Sequence, residues 1–410
     1  MELKFNVSPH DGEMTVTAKY SKDEINTPHF YINVDAEITS FLCDGKHHTP
    51  GIADTTHPLH GDYILKKAAI PAFHNCLEIT YSLKLTGKTG SYPYVREQIT
   101  PEFTLIRFET FCYPMFYEDY NSFRNPSFKS YNVRLTIPDG YKAVEVINKG
   151  SAAFYTCAIA PYVKVDFTFG SIYFFSSIGG GKKQMVEQAM NFTFDYMNAH
   201  FGSRAPFAKT TFAAIPRNFG SFAFRETRTI FIEEDTFDKT ENLRQIIHEF
   251  LHLDWNAEPK DSVQRARFFD EAFTSYFETR VMKHLLKDEA FNGRAYGEGI
   301  AAIKSGEYGM VPICQYGERA YGDLSYTIGA LCLDELCRLL GESLFDAATA
   351  AFLAKYRHTP ADFEDFCREY LHFCGKEHED NLTQFFNDWI YTCNGLEKLI
   401  ESGLIPCCSN

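Results

Sequence analysis

The chain has 410 residues, 45% hydrophobic and 16% aromatic, with a formal net charge of −14. That apolar content excludes intrinsic disorder, and the length points to two or three domains rather than one core. The acidic balance argues against a nucleic-acid partner, which would need basic patches, and no apolar run approaches the roughly 18 residues of a membrane span.

The first residues, Met1 to Met14, lack a basic segment followed by an apolar one, so no signal peptide is expected. Twelve cysteines are scattered singly, except for Cys407 and Cys408, and none forms a CxxC pair. Reduced thiols and a cytoplasmic location follow as expectations, with secretion left open for a sequence trimmed to its mature form.

Residues 1–153 read as short strands separated by turn residues. Glu13–Tyr20 alternates through Met14, Val16, Ala18 and Tyr20, and Leu77–Leu85 through Ile79, Tyr81 and Leu83. Phe103–Phe111 and Tyr131–Ile137 continue the pattern up to the turn Pro138-Asp139-Gly140. An antiparallel sandwich or saddle-like sheet is expected for this part. His47, His48, His57 and His60 cluster in a loop rich in Gly, Pro and Thr, without acidic or cysteine ligands at regular spacing.

The pattern changes near residue 154. Strands around 152–158 and 164–169 lead to Gly179-Gly180-Gly181-Lys182-Lys183, which lacks phosphate-loop spacing and reads as the entry to a helix. That helix carries Val186, Met190, Thr193 and Met197 on one stripe and ends at Phe201-Gly202. Strands follow at Thr210–Ile215 and within Gly220–Glu233. Thr240 is the expected N-cap of a helix whose buried side is Leu243, Ile247 and Phe250, with Leu251 at its margin. A second helix is expected from about Ser262 to Leu286, then helices near 325–340, 343–356, 361–373 and 381–400.

His248 and His252 stand four residues apart on the first of these helices, one turn above each other, which is the spacing that lets two imidazoles share a zinc ion. Glu249 sits beside them as a candidate base. Glu271 follows after eighteen residues, and on its own helix Glu271, Ser275 and Glu278 share a face. Glu271 is the candidate third ligand, and Glu278 is expected to orient a ligand histidine. Two imidazoles and one carboxylate leave zinc a fourth position for water, whose pKa falls toward about 7. Glu249 can then take the proton and hand it to a leaving amine.

His248-Glu249-x-x-His252, eighteen residues, then Glu271 within Asp270-Glu271-Ala272-Phe273-Thr274-Ser275-Tyr276-Phe277-Glu278 resembles the gluzincin metallopeptidases. It is most similar to the aminopeptidase N-like family, whose second segment commonly reads N-E-G-F-A-x-Y-x-E. That family places a catalytic tyrosine downstream in a Y-x-K-G-like element. Ser325-Tyr326-Thr327-Ile328-Gly329-Ala330 keeps the tyrosine and the glycine, with Ile328 where the lysine stands. The resemblance implies that Tyr326 donates a hydrogen bond to the oxyanion. Phe386-x-x-Trp389 and Gly395 fit the family's closing segment. The glycyl aminopeptidase family is also similar, through His248-Glu249-Phe250-x-His252-x-x-Trp255-Asn256.

One departure concerns specificity. The family carries a G-x-M-E-N-like edge strand whose glutamate grips the substrate's amine. Here Gly220-Ser221-Phe222-Ala223-Phe224-Arg225-Glu226 stands in that place, as the implied substrate-binding strand, with Ala223 at the glutamate's position. A methyl group cannot pair with an ammonium. Arg225 shares the face of Ala223, whereas Glu226 would lie opposite on a regular strand.

The expectation is a multidomain α+β protein: an all-β domain over 1–153, and a thermolysin-like zinc peptidase domain over 154–410 that ends in helices. One zinc ion is expected, with peptide or protein as substrate. The alternatives are an endopeptidase or a hydrolase of modified peptides or other amides, and a non-catalytic binding protein on the same scaffold.

Overall fold

The computed structural model describes residues 1–57, 63–89, 96–118, 132–147, 155–175, 181–202, 209–237, 242–259, 268–288, 291–316 and 324–402. His60, Tyr131, Gly179, Gly180, Thr240, the helix start near Ser262, Cys407 and Cys408 lie outside these residues. The chain packs as two units, Met1–Lys183 with Ala208–Asp238, and Gln184–Phe207 with Lys239–Asn410.

The first unit is built of sheets. In its six-stranded sheet, Met14, Val16, Ala18 and Tyr20 of Glu13–Ser21 pair with Leu83, Tyr81, Ile79 and Leu77 of Cys76–Leu83. All eight are buried, because a period of two sends every one of them to the same face. The sheet continues through Glu37–Cys43 on one side and Glu2–Ser8 on the other. Its far edge is Asn132–Thr136, which pairs parallel to Glu2–Ser8, unlike the antiparallel arrangement expected. A separate five-stranded sheet runs in the order Val163–Phe167, Gly170–Phe174, Thr210–Ile215, Thr229–Glu233, Phe222–Phe224. Its two central pairings are parallel, and Phe222–Phe224 forms an antiparallel edge.

The second unit is helical. The helix Gly181–Phe201, which belongs to this unit from Gln184 onward, buries Val186, Met190, Thr193 and Met197, and Gly202 follows at φ +92°. The histidine helix, Leu243–Leu251, buries Leu243, Ile246, Ile247, Phe250 and also Leu251, which is fully covered rather than marginal. The glutamate helix, Phe273–Leu286, is preceded by a π-turn over Phe268–Ala272. A second π-turn, Ser325–Gly329, runs into Ala330–Leu340, and Glu342–Tyr356, Phe363–Cys374 and Glu379–Phe386 follow. Asp362 caps Phe363–Cys374 by accepting from the Asp365 N–H at 2.8 Å. Phe273, Phe352 and Phe366 pack ring against ring between these helices, with Phe352 and Phe366 centroids 5.5 Å apart. Among the described residues no helix is long and apolar enough to cross a membrane. The architecture is α+β, with β-sheets first and helices last.

Candidate metal centre

His248 lies in the last turn of the histidine helix and His252 is its C-cap, so the i, i+4 relation holds across the helix end. Their Nε2 atoms are 3.2 Å apart. Glu271, on the π-turn that precedes the glutamate helix, brings Oε2 to 3.1 Å from His248 Nε2 and 3.2 Å from His252 Nε2. The three atoms form a nearly equilateral triangle.

The remaining ring nitrogens decide what the triangle contains. Nδ1 of His248 lies 3.0 Å from Oε2 of Glu278, and an ionised carboxylate can only accept, so Nδ1 carries the hydrogen. Nδ1 of His252 lies 3.2 Å from Oγ1 of Thr274. The Thr274 hydroxyl donates its one hydrogen to the Asp270 carbonyl at 2.6 Å, so it accepts from His252 Nδ1–H. Both Nε2 atoms therefore present lone pairs to each other and to a carboxylate oxygen. Three acceptors at such distances repel unless a cation sits among them. Without one, a proton takes that role. Burial alone would push the His248 imidazole down, but hydrogen bonds and charge from Glu271 and Glu278 raise it to about 10.

The donor set fits zinc. A tetrahedral ion with ligands at about 2.0–2.1 Å needs its ligand atoms about 3.3 Å apart, close to the edges of this triangle. Glu249 follows His248 on the same helix and is 7% exposed. The Tyr326 ring lies nearly parallel to that of His248, with centroids 5.9 Å apart. The four side chains named from sequence spacing, and Tyr326, are thus gathered in one unit.

Sequence reasoning missed three features. Glu271 and Tyr326 both sit on π-turns, a conformation with an extra residue per turn that is common at functional sites. The clamp of Thr274 on His252 was also missed, although Thr274 stands three residues after Glu271, where it shares that residue's face. The third is Arg244, whose Nε lies 3.1 Å from Oε1 of Glu278.

The stretch Gly220-Ser221-Phe222-Ala223 belongs to the other unit. Gly220 N–H donates to the Glu233 carboxylate at 2.6 Å, and Ser221 Oγ accepts from Glu233 N–H at 3.2 Å, which closes the hairpin. Phe222 stacks on Phe231 and lies under the Arg107 guanidinium. Ala223 is opposite Ile230 in a regular register, and the strand ends at Phe224. Glu226 lies beyond it, exposed and paired with Arg225 at 3.2 Å. No bulge among these residues returns Glu226 to the face of Ala223.

Of the N-terminal histidines, His57 is a core residue: its Nε2 is 2.8 Å from the Glu109 carbonyl, and Tyr63 and Phe111 meet its ring edge-on. His200, Glu342 and Asp346 form a second group of metal-type side chains. A cation already stands there, since Arg280 donates to Asp346 at 2.5 Å and to Glu342 at 2.6 Å.

The fold is similar to that of native yeast LTA4 hydrolase, at TM-score 0.62 and 13% identity, covering 95% of this chain and 67% of the other. The yeast LTA4 hydrolase solved in complex with bestatin is similar at TM-score 0.61 and 13% identity, with the same coverage. No protein-family description matches the chain, and no curated protein matches it in sequence.

Proposed function

We propose that this chain is a zinc-dependent peptidase, with His248, His252 and Glu271 as metal ligands, Glu249 as the general base and Tyr326 at the oxyanion. The observation that carries it is the convergence of two Nε2 atoms and one carboxylate oxygen within 3.1–3.2 Å, with both Nδ1 atoms facing other partners, Glu278 and Thr274. When bound, zinc supplies a Lewis acid and lowers the pKa of water toward about 7. Glu249 takes a proton from the water that attacks the peptide carbonyl and passes it to the leaving amine, so the carboxylate is regenerated in each turnover. Tyr326 donates its hydroxyl hydrogen to the oxyanion as the carbonyl becomes tetrahedral. Glu278 and Thr274 hold the two imidazoles in the required tautomers through their Nδ1 hydrogens. That the structural neighbours are named hydrolases supports a hydrolytic scaffold. In this reading residues 154–410 form the peptidase domain.

Substrate choice departs from the aminopeptidase pattern. Ala223 offers no charge to an ammonium, and Glu226 is engaged by Arg225, so the free amine of a peptide is not gripped at this strand. The proposal is therefore cleavage that does not depend on a free N-terminus, in internal or modified peptides. Digestion of a peptide library read by mass spectrometry tests both parts. Cleavage is expected with the native chain and should fall by about 10²–10⁴ with Glu249→Gln. Strict removal of single N-terminal residues would refute the specificity, and undiminished cleavage by Glu249→Gln would refute the mechanism.

A further inference from the structure

The geometry points to Arg244 as a positioning residue for the metal centre, acting through Glu278 on His248; this rests on the reading of His248, His252 and Glu271 as zinc ligands. Arg244 stands one turn before His248 on the histidine helix, the i, i+4 relation that lets both side chains meet the same partner. That partner is Glu278: Oε1 lies 3.1 Å from Arg244 Nε, and Oε2 lies 3.0 Å from His248 Nδ1. The Glu278 side chain is 6% exposed, and each of its oxygens has one of these two partners.

A buried carboxylate left with one oxygen unpaired is costly, and a glutamate can rotate away from a single hydrogen bond. Two partners on one helix hold it in the orientation that faces the imidazole. A carboxylate fixed on Nδ1–H sets the ring's tautomer and strengthens Nε2 as a ligand. The guanidinium is the wet end of this chain of contacts, since the Arg244 side chain is 54% exposed. A solvent-exposed charge pair weakens as salt screens it. Arg244 therefore ties zinc retention to ionic strength, a property that neither the HExxH spacing nor the resemblance assigns to this position.

The test is zinc affinity of the full chain, measured by competition with a chromophoric chelator at about 0.05 M and about 0.5 M salt. Glu278→Gln should weaken zinc binding about 10–100-fold. Arg244→Ala should weaken it about three- to tenfold at low salt, and that difference from the native chain should shrink at high salt as the Arg244–Glu278 pair is screened. Arg244→Lys should restore part of the low-salt affinity, and Arg244→Ala in the Glu278→Gln background should add little. Melting of the zinc-free forms shows whether Arg244→Ala has damaged the helix itself. Native affinity in Arg244→Ala, or a deficit equally large at both salt concentrations, would overturn the inference, as would an undiminished effect in the Glu278→Gln background. Zinc binding that survives His248→Ala would instead overturn the ligand assignment on which it rests.

Discussion

Gly329 lies so close to Ala272 that a Cβ on the glycine would fall 2.7 Å from the alanine's own. Each residue closes a π-turn: Phe268–Ala272 carries Glu271, and Ser325–Gly329 carries Tyr326. The candidate third ligand and the candidate oxyanion donor are thus held by two turns in near-backbone contact, and the glycine is what allows the approach. Gly329→Ala should force the turns apart at a cost of about 1–3 kcal/mol, read by urea denaturation. It should lower both kcat and zinc affinity, because the two turns carry Tyr326 and Glu271, while His248 and His252 stay on their own helix. Unchanged stability would show that the turns have room to move.

Glu249→Gln keeps the side chain's volume and removes its capacity to take a proton. At a position only 7% exposed, the chain should fold as before and retain its zinc. Turnover should fall by about 10²–10⁴, the usual worth of a positioned general base. Metal content and peptide hydrolysis measured on the same preparation check both halves of the prediction.

Arg280 joins the glutamate helix to Glu342–Tyr356. Its guanidinium donates to Asp346 and Glu342, its Nε to the Tyr196 hydroxyl at 3.0 Å, and Asp346 also meets His200 Nδ1 at 2.6 Å. Removing the cation leaves Asp346 buried without its main partner. Arg280→Met should therefore cost about 3–5 kcal/mol, and pairing it with Asp346→Leu should recover much of that loss. Chemical denaturation of the single and double variants decides whether the network acts as one unit.

The helix Asn394–Ser402 is tied to Asp388. Lys398 at 2.8 Å and Gln384 at 2.9 Å, with help from Asn394, hold the Asp388 carboxyl down to about 2. A carboxyl depressed in the folded state adds stability that is fully present above its unfolded pKa of about 4 and is lost as pH falls toward about 2. Melting followed from about pH 5 to about pH 2 should fall less steeply in Asp388→Asn than in the native chain. Parallel curves would show that other groups govern the acid limb.

Much of the site was legible because its geometry is local. An i, i+4 pair on a helix fixes the relation of His248 to His252. Alternation likewise placed Met14, Val16, Ala18 and Tyr20 in the core, and Thr210–Ile215 is a strand with the expected bounds. What escaped depends on contacts between distant segments. The π-turns need Gly329 against Ala272, residues with no local signal for that pairing. The parallel pairing of Glu2–Ser8 with Asn132–Thr136 joins segments with no common turn. Nothing in the sequence singles out Arg244 until Glu278 is placed beside it, and His57 reads as a loop residue until Phe111 and Tyr63 enclose it.

Whether His248, His252 and Glu271 hold one zinc ion is open to direct observation. Anomalous diffraction at the zinc edge from crystals of the full chain tests it most directly. A single peak is expected about 2.0–2.2 Å from His248 Nε2, His252 Nε2 and a Glu271 carboxylate oxygen. A zinc-loaded chain with no peak there, or with its peak among His200, Glu342 and Asp346, would contradict the ligand assignment.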